Sequence, residues 1–112
     1  MRLNSLINNR GGGYRPENFQ KYFADRRWIA TTGGGLQDVC QWDNDNKKYT
    51  DTVIAKALDL YVEGAGFQRV KFPTSFSLAN IEELSEVELI NPVACEVRGN
   101  VYVKADGLKE AN

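Results

Sequence analysis

Apolar positions along this chain change period several times, and each change predicts an element. Leu3, Leu6 and Ile7 fall at i, i+3 and i+4, enough for one or two helical turns before Asn8, Asn9 and the glycines of "RGGGYRP" stop them. Pro16 suits the first position of a helix, because its fixed φ is helical and its missing N–H is not needed there. That helix is expected over Pro16–Arg27, with Phe19, Tyr22 and Phe23 on one face and Arg26 and Arg27 complementing the dipole in its last turn. "WIATT" (Trp28–Thr32) is rich in aromatic and β-branched residues and predicts a strand. "LQDVCQW" fits either period, and the glycine loop before it favours a second strand in a hairpin. "DNDN" (Asp43–Asn46) predicts a turn, since short Asx side chains bond their own backbone. "KKYT" predicts a third short strand.

Thr50 or Asp51 can cap a helix whose face is Val53, Ile54, Ala57, Leu58 and Tyr61, ended by Gly64 and Gly66. Phe67–Phe72 predicts a strand closed by Pro73. Asn80 with Glu83 resembles a capping box and predicts one or two further helical turns. Glu86–Ile90 alternates like a strand, and Asn91-Pro92 turns it. Val93–Ala105 predicts a hairpin. A two-residue Gly99-Asn100 loop would put Cys95 opposite Lys104. A three-residue loop of Arg98, Gly99 and Asn100 puts Val93 with Ala105, Cys95 with Val103 and Val97 with Val101. One face is then wholly apolar, and register follows the buried face, so the longer loop or an equivalent bulge is expected. The polar tail 107–112 is expected to fray. The sum is an α+β fold, one mainly antiparallel sheet with one or two packed helices, in a single domain 1–112 whose residues 1–15 form a basic arm.

Composition agrees with a globular chain: 112 residues, 42% hydrophobic and 26% charged. No apolar run approaches the ~20 residues of a membrane helix, and the first residues lack the apolar stretch of a secretory signal. A cytoplasmic protein that does not contact membrane is the expectation. Cys40 and Cys95 stand far apart among apolar neighbours and are expected as buried free thiols, with a disulfide the minority reading. Trp28 and Trp42 are expected in the core.

The chain has no histidine. That excludes Ser-His-Asp and Cys-His nucleophiles and imidazole metal sites together. "TTGGGLQD" lacks the lysine of a phosphate loop and carries Asp38 where a dinucleotide loop needs its third glycine. "DNDNKKYTDTVI" has Lys48 where a calcium loop needs glycine and Ile54 where it needs glutamate. No cofactor and no metal is therefore expected. Glu82, Glu83, Glu86 and Glu88 offer carboxylates, with a solvated surface the commoner outcome.

Charge is uneven within a net of −1. Residues 1–27 carry six basic groups against two acids, and both later segments are acidic. The basic quarter can attract an anionic partner or dock on the acidic remainder. "RGGGYRP" is the sharpest contact candidate, with Arg10, Tyr14 and Arg15 as its contacts and Lys21, Arg26 and Arg27 widening the positive field. The leading functional expectation is a non-enzymatic module acting by protein–protein contact or self-association. A second is nucleic-acid binding through the basic arm and first helix. A third is a histidine-free enzyme working through carboxylates.

Overall fold

The structure, a computed structural model, describes residues 13–78 and 81–111. Its elements in chain order are α1 (Pro16–Phe23), β1 (Trp28–Ile29), β2 (Gln37–Asp43), β3 (Lys48–Val62), β4 (Gly66–Phe72), β5 (Glu86–Ile90), β6 (Val93–Val97), β7 (Asn100–Lys104) and β8 (Gly107–Glu110). The expected α+β fold with one or two helices on a sheet is not what forms. The chain is mostly β: one mixed sheet in the order β6-β7-β4-β3-β1-β5-β8, with β2 paired to β3 beside that path. Among the described residues, α1 is the one α-helix.

The largest correction concerns residues 50–64. The apolar positions there satisfy a helical stripe, but Leu58, Leu60 and Val62 also alternate, and these are buried along with Ala57, whereas Ile54 and Tyr61 of the stripe are exposed. The β-branched residues Thr50, Thr52, Val53 and Ile54 resist helix by their restricted χ1. The segment finds antiparallel partners on both sides, β2 from Lys48 to Ala57 and β4 from Lys56 to Val62. Gly64 and Gly66, at φ +81° and +93°, then make the β3–β4 turn instead of a helix end. The capping-box segment forms turns rather than a helix over its described part, with the Ser85 N–H donating to the Glu82 carbonyl; Asn80 lies outside the described residues.

Other elements follow their local chemistry. Pro16 opens α1. The Asp43 carboxylate accepts from the N–H groups of Asp45 and Asn46 and from the Asn46 side-chain amide, closing the β2–β3 turn. The β6–β7 hairpin forms, but with a two-residue Arg98-Gly99 loop, both residues at positive φ, pairing Val97 with Asn100 and Cys95 with Tyr102. The inner face of this hairpin is not wholly apolar. It carries Glu96 opposite Val101, and Glu96 accepts a hydrogen bond from the Tyr22 hydroxyl on α1. The tail expected to fray is, from Gly107 to Glu110, a strand antiparallel to β5, with Leu108 buried.

One face of the sheet builds the core. Leu58, Leu60 and Val62 of β3, Val70 and Phe72 of β4, Val87, Ala94 and Val103 point to one side and meet Phe19 and Phe23 of α1 and Trp28 of β1. The Phe19, Phe23 and Trp28 rings cluster at centroid separations of 5.1–5.7 Å. Trp28 is a core residue as expected, whereas Trp42 is not. Both cysteines are free; Cys95 is buried and Cys40 half-buried.

Candidate functional surfaces

The sequence-derived contact residues are dispersed by this fold, and most acquire partners within it. Arg10 lies outside the described residues. Arg15 exchanges backbone hydrogen bonds with Ala94, fixing the start of α1 on the outer edge of β6. Lys21 lies over the Tyr22 ring. Arg26 donates to the Glu63 carbonyl at 3.2 Å. Arg27 pairs with Glu63 at 3.2 Å and with Glu86 at 3.1 Å. Arg26 and Arg27 thus turn toward the β3–β4 turn and the acidic body. Exposed pairs like these contribute little stability, on the order of 0–1 kcal/mol each, but they lower the positive field available to an outside anion.

Tyr14 faces a different neighbourhood. Lys104 Nζ sits 4.2 Å from the centroid of its ring, a cation–π contact. Partial burial, then the neighbouring Cys95 thiol, pushes the Tyr14 phenol up to about 12. The folded state holds the neutral phenol, so this contribution is complete below the ordinary tyrosine value near 10 and is lost as pH rises from there toward 12. Absorbance titration of wild type minus Tyr14→Phe is expected to show one phenol ionising near pH 12. An ionisation near pH 10 would mean that Tyr14 is not buried against Cys95.

The carboxylate group of Glu82 to Glu88 does not converge. Glu83 accepts hydrogen bonds from the Thr32 hydroxyl and the Thr32 N–H, which hold its carboxyl below the ordinary range. Glu86 is engaged with Arg27 and Glu88 with Lys109. The Gly33–Gly35 loop is therefore tied to an acid, the opposite of a phosphate cradle. Among the described residues no three His, Cys, Asp or Glu side chains come close enough to hold a metal ion. No helix among them is long and apolar enough to cross a membrane.

Two surfaces that sequence reading did not single out are left. The first is the β2–β3 ribbon. From Lys48 to Ala55, β3 pairs with β2 alone, because β4 joins only at Lys56. Trp42 and Tyr49 are directly opposed there, their rings edge-to-face with centroids 4.9 Å apart. They are 44% and 69% exposed.

The second is the outer face of β3, β4 and β7. Because Val70, Phe72 and Val103 point inward, alternation sends Phe67, Arg69, Lys71, Tyr102 and Lys104 outward. Tyr61 and Phe67 form a cross-strand edge-to-face pair, with Phe67 70% exposed. Arg69 and Asp59 pair through two hydrogen bonds, at 3.0 and 3.3 Å. The parallel pairing of β4 with β7 spans only Val70↔Val103 and Lys71↔Lys104. Beyond it the Gln68 amide donates to the Val101 carbonyl across the two strands, beside a cleft of about 520 Å³ lined by Gln68, Arg69, Asn100 and Tyr102. A second groove of about 590 Å³, walled by Val39, Ile54 and Val93, lies at the other end of the same lysine pair.

No family model and no curated protein matches the chain. Among solved structures, the chain is similar to a structural-genomics target from Streptococcus agalactiae determined by solution NMR. The two are 24% identical over 82% of this chain and 87% of that one, with a TM-score of 0.51. At that identity the likeness bears on the fold alone.

Proposed function

We propose that this chain is a non-enzymatic binding module that works by protein–protein contact, with the β2–β3 ribbon as its contact element. The exposed Trp42–Tyr49 pair carries this reading. A two-stranded ribbon is marginal in water unless something packs on it, and the described residues supply no further layer over these rings. Tryptophan and tyrosine are the side chains most enriched at the energetic centres of interfaces, since each buries a large rigid area at low entropic cost. The histidine-free composition also favours contact over acid–base chemistry. A second copy of the chain is the first partner to test, because a net charge of −1 opposes self-association only weakly.

Sedimentation velocity over a wide concentration range is expected to show reversible association of the wild type. Trp42→Ala/Tyr49→Ala should be monomeric at every concentration while keeping the wild-type Tm. If the double variant associates as the wild type does, or if the wild type stays monomeric and captures the same proteins as the variant, the ribbon is not the contact element.

A further inference from the structure

We propose that the outer face of β4 and β7 binds single-stranded nucleic acid, with bases stacking on Phe67 and Tyr102 and phosphates held by Lys71 and Lys104. This surface is separate from the ribbon tip. Tyr49 and Tyr61 mark the two ends of β3, twelve residues apart, or roughly 40 Å at the usual strand rise.

Charge comes first. Lys71 and Lys104 are register partners across a parallel pair, so two lysines rise from adjacent strands on the same face, with Lys104 Nζ over the Tyr14 ring. Like charges in adjacent strands repel, and among the described residues neither lysine has a carboxylate partner. The acids nearby are already engaged. Asp59 accepts both hydrogen bonds from Arg69, and Asp106, which lines the adjoining groove, accepts from the Asn91 amide at 3.0 Å. An anion over the lysine pair would relieve the repulsion, and a chain of anions would do so along the strand direction.

The rings specify which polyanion. Phe67 and Tyr102 present 70% and 42% of their surface on the face that carries the lysines. Phe67 precedes Lys71 by four residues and Tyr102 precedes Lys104 by two, so the rings sit at different heights along parallel strands. Each can then take its own base. The cleft beside the lysine pair is also lined by Asn100, whose side chain can reach a base edge, while Gln68 and Arg69 are held by hydrogen bonds within the fold. Flat rings beside cations that no carboxylate neutralises are the means by which proteins hold single strands without sequence preference. A duplex hides its base faces and would use only the lysines. An acidic protein segment would also use the lysines and leave both rings idle.

The test is fluorescence anisotropy of a labelled oligothymidylate of about fifteen nucleotides, measured over a salt series. Saturable binding at low salt is expected. Phe67→Ala and Tyr102→Ala should each weaken it at least about fivefold. Lys71→Gln/Lys104→Gln should flatten the log–log salt dependence by about 0.7 per lysine. Trp42→Ala/Tyr49→Ala should change neither quantity, and a duplex of equal length should bind more weakly. The four face residues and the Trp42–Tyr49 pair are all at least partly exposed, and an unchanged Tm verifies folding. Absence of binding at low salt overturns the proposal. So does binding that both ring variants retain and polyglutamate displaces, which would mark an acidic protein segment as the occupant. Binding lost with Arg10→Ala but unmoved by the four face residues would overturn it as well, returning the contact to the N-terminal arm.

Discussion

Phe72→Ala is expected to lower the free energy of unfolding by about 3–5 kcal/mol, a large part of the roughly 5–15 kcal/mol that holds a domain folded. Phe72 is among the largest fully buried side chains, at the end of β4, and its ring stacks on Phe76 with centroids 4.1 Å apart. Removing it deletes the transfer energy of the ring and leaves a void that the fixed strands β3 and β7 cannot close. Phe67→Ala supplies the control. It is the same substitution in the same strand but on the outer face, and it should cost less than about 1 kcal/mol. Urea midpoints of the two variants against wild type check the contrast. Equal losses would mean that β4 does not turn Phe72 inward and Phe67 outward.

A chain ending at Asp106 is expected to lose about 4 kcal/mol and with it much of its cooperativity. The segment removed is β8, whose register runs from Val87↔Glu110 to Ile90↔Gly107. Its loss takes away the burial of Leu108, worth about 1.5–3 kcal/mol, and the net ~1 kcal/mol of each inter-strand hydrogen bond to β5. It also bares β5 as an unprotected edge, with Val87 beneath it. Circular dichroism and urea unfolding of the shortened chain check this. An unchanged midpoint would return residues 107–112 to the fraying tail that their composition suggests.

Much of the local structure was legible because it depends on local chemistry. Pro16 placed the start of α1, Asp43 and Asn46 the β2–β3 turn, and the aromatic and β-branched segments 67–72 and 86–90 their strands. What was not legible depends on distant partners. "VIAKALDLYV" satisfies both periods, and only pairing with β2 on one side and β4 on the other decides for strand. "DGLKE" carries a single large apolar residue, so nothing in it announces that β5 needs an edge partner. The hairpin register was misjudged because a wholly apolar inner face was assumed. Glu96 occupies that face, and Tyr22 of α1 meets it there.

The candidate surfaces divide the same way. Tyr14 was identified from its flanking arginines, yet its close cation is Lys104, ninety residues away in sequence. Phe67, Arg69 and Lys71 alternate visibly in "FQRVKF", as do Tyr102 and Lys104 in "VYVK". Outward aromatics alternating with cations in two separate strands were the available signal. It lacked meaning without the parallel β4–β7 pairing, which no local pattern encodes.

The position of β1 has a consequence for how the protein is made. Its two residues bridge β3 and β5, with Trp28 set against Val62 on one side and Val87 on the other. A chain emerging from the ribosome can zip β2, β3 and β4 as successive hairpins, but Trp28 keeps one flank bare until Val87 has been translated. Closure of the sheet is therefore a late event, slow in the manner of topologies rich in sequence-distant contacts. Until then the nascent protein exposes an aromatic cluster that other chains can reach.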